Sequence, residues 1–366
     1  MTKVALVHDW LTGLRGGERV LEALCLLYPD ADLFTLVHAP GSAGPIIERH
    51  KITESFLQKL PGGLSNYRYY LPLFPLAIER LDLSGYELVL STSHAVAKGC
   101  RPAPGARHIS YIHTPMRYVW DQYDAYFGPG RAGPATRIAA RLAAPALRRW
   151  DVRSTRRAQG LIANSRFVAE RCKRVWGREV DAVVYPPVDT ERFVPAAQRD
   201  DYALVVSALV PYKRVDLAVR AFTRLGRRLI VAGEGPELAR LRALAGPTVE
   251  LRGSVSQEAL PALFARARCF VLPGEEDFGI APVEAQAAGR PVLALGKGGA
   301  LETVIDGETG AFFEEPEIDS LIAGLERLDA LEPSLDPARI RQHAQRFAAT
   351  RFGPELQAVL ARLLAK

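Results

Sequence analysis

Glu276 and Glu284 stand eight residues apart in the segment Pro273-Gly274-Glu275-Glu276-Asp277-Phe278-Gly279-Ile280-Ala281-Pro282-Val283-Glu284-Ala285-Gln286. An apolar run at 269–272 reads as a strand that delivers the chain into this acidic, glycine-containing loop. A helix is expected to start near Pro282, because proline at the first helical turn gives up an N–H that has no intrahelical partner. The free N–H groups and positive dipole end of such a helix suit a diphosphate. With Glu276 on the loop and Glu284 in the first turn, both carboxylates can face one cleft and accept hydrogen bonds from sugar hydroxyls. A plain capping and dipole role is the competing reading of Glu284.

Other residues of interest follow the same pattern of strand end and loop. His113 closes a run at 108–112, and Lys213 lies in Val210-Pro211-Tyr212-Lys213-Arg214. Gly16-Gly17-Glu18 follows the first apolar run. His8-Asp9 ends that run, and either contacts a substrate or caps the loop. Gly233-Glu234-Gly235-Pro236 suits a tight turn but is weak support for a dinucleotide site. Asp30-Ala31-Asp32 matches a metal signature by letters only and reads as a surface loop ahead of a strand at 33–36. No Cys/His cluster points to a metal.

The elements that must hold these residues alternate from the start. Apolar runs at 4–7, 87–91, 108–112 and 160–163 each end in small or polar residues, as parallel strands do where they open into functional loops. After Tyr185-Pro186-Pro187-Val188-Asp189, a hinge by composition, the alternation begins again. Strands are expected at 202–207, 228–232, 249–252, 269–272 and 291–295, with helices at 214–225 and 257–267 between them. The expected architecture is α/β: two Rossmann-like, doubly wound parallel-sheet domains, 1–187 and 188–344, facing a central cleft. The tail from 343 to 366 is helical by period, and its part from about 345 is expected to pack back on the first domain.

The 366 residues are 48% hydrophobic and 24% charged, a composition too apolar for disorder. No run approaches the ~18 apolar residues of a membrane span. The beginning turns polar too soon for a secretory leader, and the four scattered cysteines suggest neither disulfides nor zinc, so a cytoplasmic protein is expected. The net charge of +6 is uneven: residues 1–187 hold 25 Lys and Arg against 16 Asp and Glu. Between Arg131 and Arg157 eight arginines meet a single acid, Asp151, with Ile138, Leu142, Ala146 and Leu147 interleaved. This reads as a basic amphipathic helix, or pair of helices, for an anionic membrane surface, or else as a solvated arginine face. Tyr67-Arg68-Tyr69-Tyr70-Leu71-Pro72-Leu73-Phe74-Pro75 either dips into a membrane interface or connects helices. Nucleic acid is not expected as a partner, since no recognition motif accompanies the charge.

The Glu276-x7-Glu284 segment closely resembles the retaining family 4 glycosyltransferases of GT-B fold, and the resemblance runs over nearly the whole chain. Gly16-Gly17-Glu18, Tyr111-Ile112-His113-Thr114, Lys213, Gly298-Gly299-Ala300-Leu301-Glu302 and Asp306-Gly307-Glu308-Thr309-Gly310 match in family order. The resemblance implies a metal-independent enzyme without cofactor, using a nucleotide sugar as co-substrate. It implies that Glu284 binds the ribose, Glu276 the donor hydroxyls, Lys213 the diphosphate, and His113 the sugar near its reacting carbon. Gly16, Gly17, Gly233, Gly235, Phe278, Gly279 and Ile280 are then substrate-binding positions. One departure is Ser207-Ala208-Leu209, where many relatives have an arginine at the second place; Arg214 either replaces it or faces solvent. Similarity to bacterial mannosyltransferases implies GDP-mannose as donor and a lipid-linked (polyprenyl-diphosphate) saccharide of exopolysaccharide or O-antigen synthesis as acceptor, at the cytoplasmic face of the inner membrane. The alternatives are a UDP-sugar-dependent relative and a catalytically silent GT-B protein.

Overall fold

The computed structural model describes residues 2–128 and 133–365. The chain divides into two units, one running to Pro187 and including the segment from Phe352 onward, the other Val188–Arg351. Seven strands build the first unit: β1 (Val4–His8), β2 (Asp32–Thr35), β3 (Ile52–Glu54), β4 (Leu88–Ser93), β5 (Arg107–Ile112), β6 (Gly160–Ala163) and β7 (Ala182–Val183). Six build the second: β8 (Ala203–Val206), β9 (Leu229–Ala232), β10 (Val249–Gly253), β11 (Cys269–Leu272), β12 (Val292–Leu295) and β13 (Gly310–Phe313).

Every pairing is parallel, in the orders β3-β2-β1-β4-β5-β6-β7 and β10-β9-β8-β11-β12-β13. Each unit is therefore a doubly wound α/β sheet. In each, the strand order reverses beside the strand that comes first in the chain, the place where such sheets open a crevice at their carboxyl ends. The strands are apolar on both faces because helices cover both. Along β1, Ala5 and Val7 pack with Phe34, Phe74, Ile78 and Leu147, while Leu6 between them packs with Leu21, Leu33, Phe352 and Leu360 on the other face.

Local chemistry sets the helix ends. The Arg166–Trp176 helix starts where the Ser165 hydroxyl accepts the Val168 N–H at 3.0 Å, and it stops at Gly177, left-handed at φ 63°. The Val215–Leu225 helix stops at Gly226 in the same way, while its first flanking residue, Arg214, is left-handed without being glycine (φ 50°). That conformation costs an L-residue about 1–2 kcal/mol.

Most of the arginine run folds as one helix, Pro134–Ser154, with Arg156 and Arg157 in the 3-10 turn that follows it; Arg131 lies outside the described residues. Its inner face carries Ala144, Leu147, Asp151 and Ser154. Asp151 is fully buried, and its carboxylate takes the Lys98 ammonium at 2.6 Å and the indole N–H groups of Trp120 and Trp176 at 2.8 and 2.7 Å. Lys98 lies 5.1 and 5.2 Å from the ring centres of Trp150 and Trp176. The one acid of the basic run is thus the centre of a buried cage joining four segments.

Several boundaries differ from the sequence expectations. The helix after β11 spans Ile280–Ala287, so Pro282 is its third residue and Glu284 lies past the first turn. The tail is broken: Asp336 caps the Pro337–Ala344 helix, a tight turn follows at Gln345–Phe347, and a second helix runs Ala349–Leu364. Asp32 is not in a loop; it opens β2 and its carboxylate accepts the Tyr86 hydroxyl. Tyr67–Leu73 forms a 3-10 helix, its Tyr67 buried and Tyr69 75% exposed.

Candidate active site

In the first unit the crevice residues come from the ends of β1, β4 and β5 and from the start of the Gly16–Leu27 helix. His8, the last residue of β1, is buried, and its Nδ1 lies 2.6 Å from the Thr92 hydroxyl. Asp9, also fully buried, accepts four backbone N–H groups, from His94, Ala95, Val96 and Ala97, at 2.6–2.9 Å. Its Oδ2 lies 3.2 Å from His94 Nδ1. Burial alone would raise the Asp9 pKa, but the imidazoles of His94 and His8 and the backbone N–H groups outweigh it and hold the carboxyl below its ordinary value. Asp9 is thus a loop anchor that ties the turn after β4 to the end of β1.

His113 follows β5 and is nearly buried, its Nε2 without a hydrogen-bond partner. Burial, and then repulsion from the neighbouring His94 and His8 rings, pull its pKa down to about 3, so the imidazole is neutral at pH 7. Gly17 faces it: a Cβ there would stand 3.7 Å from His113 Nε2 and 3.8 Å from His8 Cε1, in ordinary contact. Gly17 is not forced by its backbone, which lacks a positive φ, nor by crowding within the chain. What its missing side chain preserves is space in front of two imidazoles. Gly16 is the first residue of the same helix and is exposed.

In the second unit the reversal lies between β8 and β11. Lys213, on the loop after β8, places its ammonium against the carboxylate of Glu276, on the loop after β11. Both side chains are more than four-fifths buried. Gly274 lets the two loops meet, since a Cβ there would stand 2.7 Å from the Lys213 carbonyl oxygen. Glu276 also bridges to Gly298 through the backbone. Arg214 turns aside, its Nε donating to Asp216 Oδ1 at 3.2 Å. Gly279, left-handed at φ 92°, starts the helix that carries Ile280 and Glu284, both half-buried.

Gly233 and Gly235 likewise have a cause within the chain itself. A Cβ at Gly233 would stand 1.9 Å from the Ser207 carbonyl oxygen and one at Gly235 would stand 2.3 Å from that of Leu209, so this loop lies flat on the one after β8. Phe278 is buried edge-on against Phe347, ring centres 5.4 Å apart, which leaves its backbone as the part nearest the helix start. Ala208 is exposed. Among the described residues no three His, Cys, Asp or Glu side chains gather closely enough to hold a metal ion.

A model of Glycosyltransferase Family 4 matches residues 14–192 and one of Glycosyl transferases group 1 matches residues 188–347, so the two together take in most of the chain. The chain belongs to the family 4 glycosyltransferases. It is 35% identical over 189 residues to a GDP-mannose-dependent alpha-(1-6)-phosphatidylinositol monomannoside mannosyltransferase of Mycolicibacterium smegmatis, covering 43% of this chain and 49% of that one. It is 36% identical over 194 residues to a D-inositol 3-phosphate glycosyltransferase of Streptomyces scabiei, covering 44% of each. The chain spans about half the length of the curated relatives it matches. Among solved structures, Anabaena HepE in complex with UDP-glucose superposes with a TM-score of 0.72 at 18% identity over 98% of this chain and 99% of that one, a likeness of GT-B fold.

Within this family 4 glycosyltransferase, the site residues read from the sequence thus fall into two groups, each at a strand-order reversal. His113, Gly16 and Gly17 gather in the first unit, and Lys213, Glu276, Gly279 and the helix bearing Glu284 in the second. His94 and Ser93 were missed. The available signal was the polar ending Ser91-Thr92-Ser93-His94 of β4, which matches the polar ending of β5 that marked His113.

Proposed function

We propose that the protein is a retaining glycosyltransferase that moves mannose from GDP-mannose to a lipid-linked (polyprenyl-diphosphate) saccharide in exopolysaccharide or O-antigen synthesis. The observation that carries the reading is the Lys213–Glu276 pair at the strand-order reversal of the second unit, beside the helix that begins at Ile280. An ammonium and a carboxylate held together there, with little exposure, supply a cation for a diphosphate and an acceptor for sugar hydroxyls. Mannose and GDP are supported by the mycobacterial relative named above.

In this reading Lys213 and the helix N-termini stabilise the departing diphosphate in place of a metal, and Arg214 joins them only on releasing Asp216. The bond from the anomeric carbon to phosphate oxygen breaks, and the acceptor oxygen bonds to that carbon on the same face. The acceptor's proton passes to the departing phosphate oxygen. His113, neutral, touches the sugar, and Glu284 holds the ribose. The Pro134–Ser154 helix supports a place at an anionic membrane face: Ile138 and Leu142 are 62% and 77% exposed beside Arg137 and Arg141. Among the described residues no helix is long and apolar enough to cross a membrane.

The test is thermal stabilisation with GDP, UDP, ADP and dTDP. A nucleotide at 100 times its dissociation constant adds about 2.7 kcal/mol. A shift with GDP alone supports the mannosyl reading. A preference for UDP, the nucleotide of the HepE complex, keeps the reaction class and replaces the donor. No shift with any of the four makes Ala208 decisive and points to a silent GT-B protein.

A further inference from the structure

The turn after β4 carries a histidine that neither the sequence motifs nor the reaction outlined above employ. His94 is fixed from two sides. Asp9 Oδ2 lies 3.2 Å from its Nδ1, and the ring stands edge-on to Trp10 with centres 4.2 Å apart. Asp9 already accepts four backbone N–H groups, so it is ionised and its orientation is set before the imidazole is added. The negative charge of the carboxylate beside Nδ1 favours the tautomer with its proton on Nδ1, which leaves a lone pair on Nε2. Nε2 has no hydrogen-bond partner among the described residues.

Its surroundings carry further unused hydrogen-bonding capacity. The Ser93 hydroxyl and His113 Nε2 are buried without a hydrogen-bond partner, and His8 Nε2 stands 3.8 Å from Glu18 Oε1, beyond bonding distance. The His94 ring centre is 5.7 Å from that of His8 and 6.2 Å from that of His113. These groups lie at the ends of β1, β4 and β5, beside the strand-order reversal; His113 and His8 border the space that Gly17 leaves open, and the His94 ring stands next to both. Buried polar groups without partners are rare in folded proteins, and several at one sheet end mark a place for a polar ligand.

We propose that His94 binds the incoming hydroxyl of the glycosyl transfer, its Nε2 accepting that hydroxyl's hydrogen bond while Asp9 holds the ring. The inference rests on the glycosyltransferase reading and adds the residue that orients the nucleophile. The hydroxyl belongs to the acceptor sugar, or to water when no acceptor is present. His94 moves no proton in this role; the proton still leaves with the phosphate. The groups facing it are His8 at the end of β1 and Asp9 just after it, Glu18 from the Gly16–Leu27 helix, and His113 and Arg117 from the chain after β5. Burial, with His8 and Arg117, lowers the His94 pKa against the opposing pull of Asp9 and Glu18, so the ring is neutral at pH 7. Protonation at acid pH turns Nε2 from acceptor to donor and removes the contact.

The experiment measures hydrolysis of GDP-mannose by the full chain from pH 4.5 to 8, beside GDP affinity by calorimetry; if UDP is the nucleotide bound, UDP-glucose takes its place. His94→Ala should slow hydrolysis about tenfold with nucleotide affinity within about twofold of the parent. His94→Gln, which restores an acceptor that cannot be protonated, should recover most of the rate and lose the acid limb of the profile. Hydrolysis unaffected by His94→Ala, or an acid limb unchanged in His94→Gln, overturns the assignment. So does a loss of nucleotide affinity in His94→Ala, which would make His94 structural or a donor residue. A parent chain that binds no nucleotide and hydrolyses no sugar nucleotide overturns the glycosyltransferase reading itself, and the role of His94 with it.

Discussion

Lys213 and Glu276, sixty-three residues apart in the chain, meet as an ion pair across the strand-order reversal of the second unit. The pair neutralises each member while the site is empty of substrate charge. In the proposed reaction a diphosphate arriving at Lys213 would compete with Glu276 for the ammonium, and a sugar hydroxyl would then donate to the carboxylate so released. Glu276→Ala is therefore expected to abolish sugar-nucleotide turnover and leave the circular dichroism spectrum intact. Lys213→Ala should weaken nucleotide binding by about 1.5–3 kcal/mol, the worth of a charge-assisted contact, read by calorimetry.

Gly17 and Gly233 separate two reasons for a glycine. Gly17→Ala meets nothing closer than 3.7 Å, so thermal stability should be unchanged or slightly raised, helix propensity favouring alanine. Its effect should appear only in turnover, since the methyl group fills space before His113 and His8. Gly233→Ala puts a methyl group 1.9 Å from the Ser207 carbonyl oxygen, and should lower the melting temperature with or without ligand. Differential scanning calorimetry of both variants distinguishes the two cases.

The Lys98–Asp151 pair predicts a large effect far from the chemistry. Removing the carboxylate in Asp151→Ala leaves a buried ammonium and two indole N–H groups without their acceptor. The expected loss is about 3–5 kcal/mol, measured by urea unfolding, with nucleotide affinity of the folded protein unchanged.

Two histidines make the first unit sensitive to acid. His113 has its pKa lowered to about 3, mainly by burial, and His108 to about 4, again mainly by burial. Both groups are neutral in the folded chain and titrate near 6.5 when unfolded, so below pH 6.5 the unfolded chain binds more protons. Stability should then fall as pH drops from about 6.5 toward 4. Urea midpoints at intervals of pH should show this slope, and His108→Gln should flatten it. A midpoint independent of pH across this window would contradict the burial of both rings.

Exposed Ile138 and Leu142 on the arginine-rich helix predict sedimentation with vesicles. Ile138→Glu combined with Leu142→Glu should abolish binding to vesicles rich in anionic phospholipid, without altering GDP affinity. Retained binding in the double variant would move the membrane contact elsewhere or remove it.

The α/β alternation was legible because parallel strands buried on both faces read as short apolar runs, and their polar endings marked His113 and the loop of Glu276. β3 and β7 were not, having three and two residues at sheet edges, too few to set a period. β13 was hidden for another reason: Gly310-Ala311-Phe312-Phe313 is a strand only because it pairs with β12. The helix before Glu284 began two residues early because Gly279 supplies a left-handed start, and sequence rules looked to Pro282 instead. The partner of Asp9 was beyond reach, since four N–H groups eighty-five and more residues away become its ligands only once β1 and β4 lie side by side. The buried fate of Asp151 was likewise invisible, because charge counting treats an acid among arginines as solvated, whereas its true partner is Lys98.

The tryptophan cage has an optical consequence. All four tryptophans, Trp10, Trp120, Trp150 and Trp176, belong to the first unit, and three of them surround the Lys98–Asp151 pair. The second unit is dark to excitation at the red edge of indole absorption. Emission from this protein therefore reports the melting of one half alone, while backbone dichroism reports both. Comparing the two signals along one denaturation curve shows directly whether the halves come apart together or in turn, with no label attached.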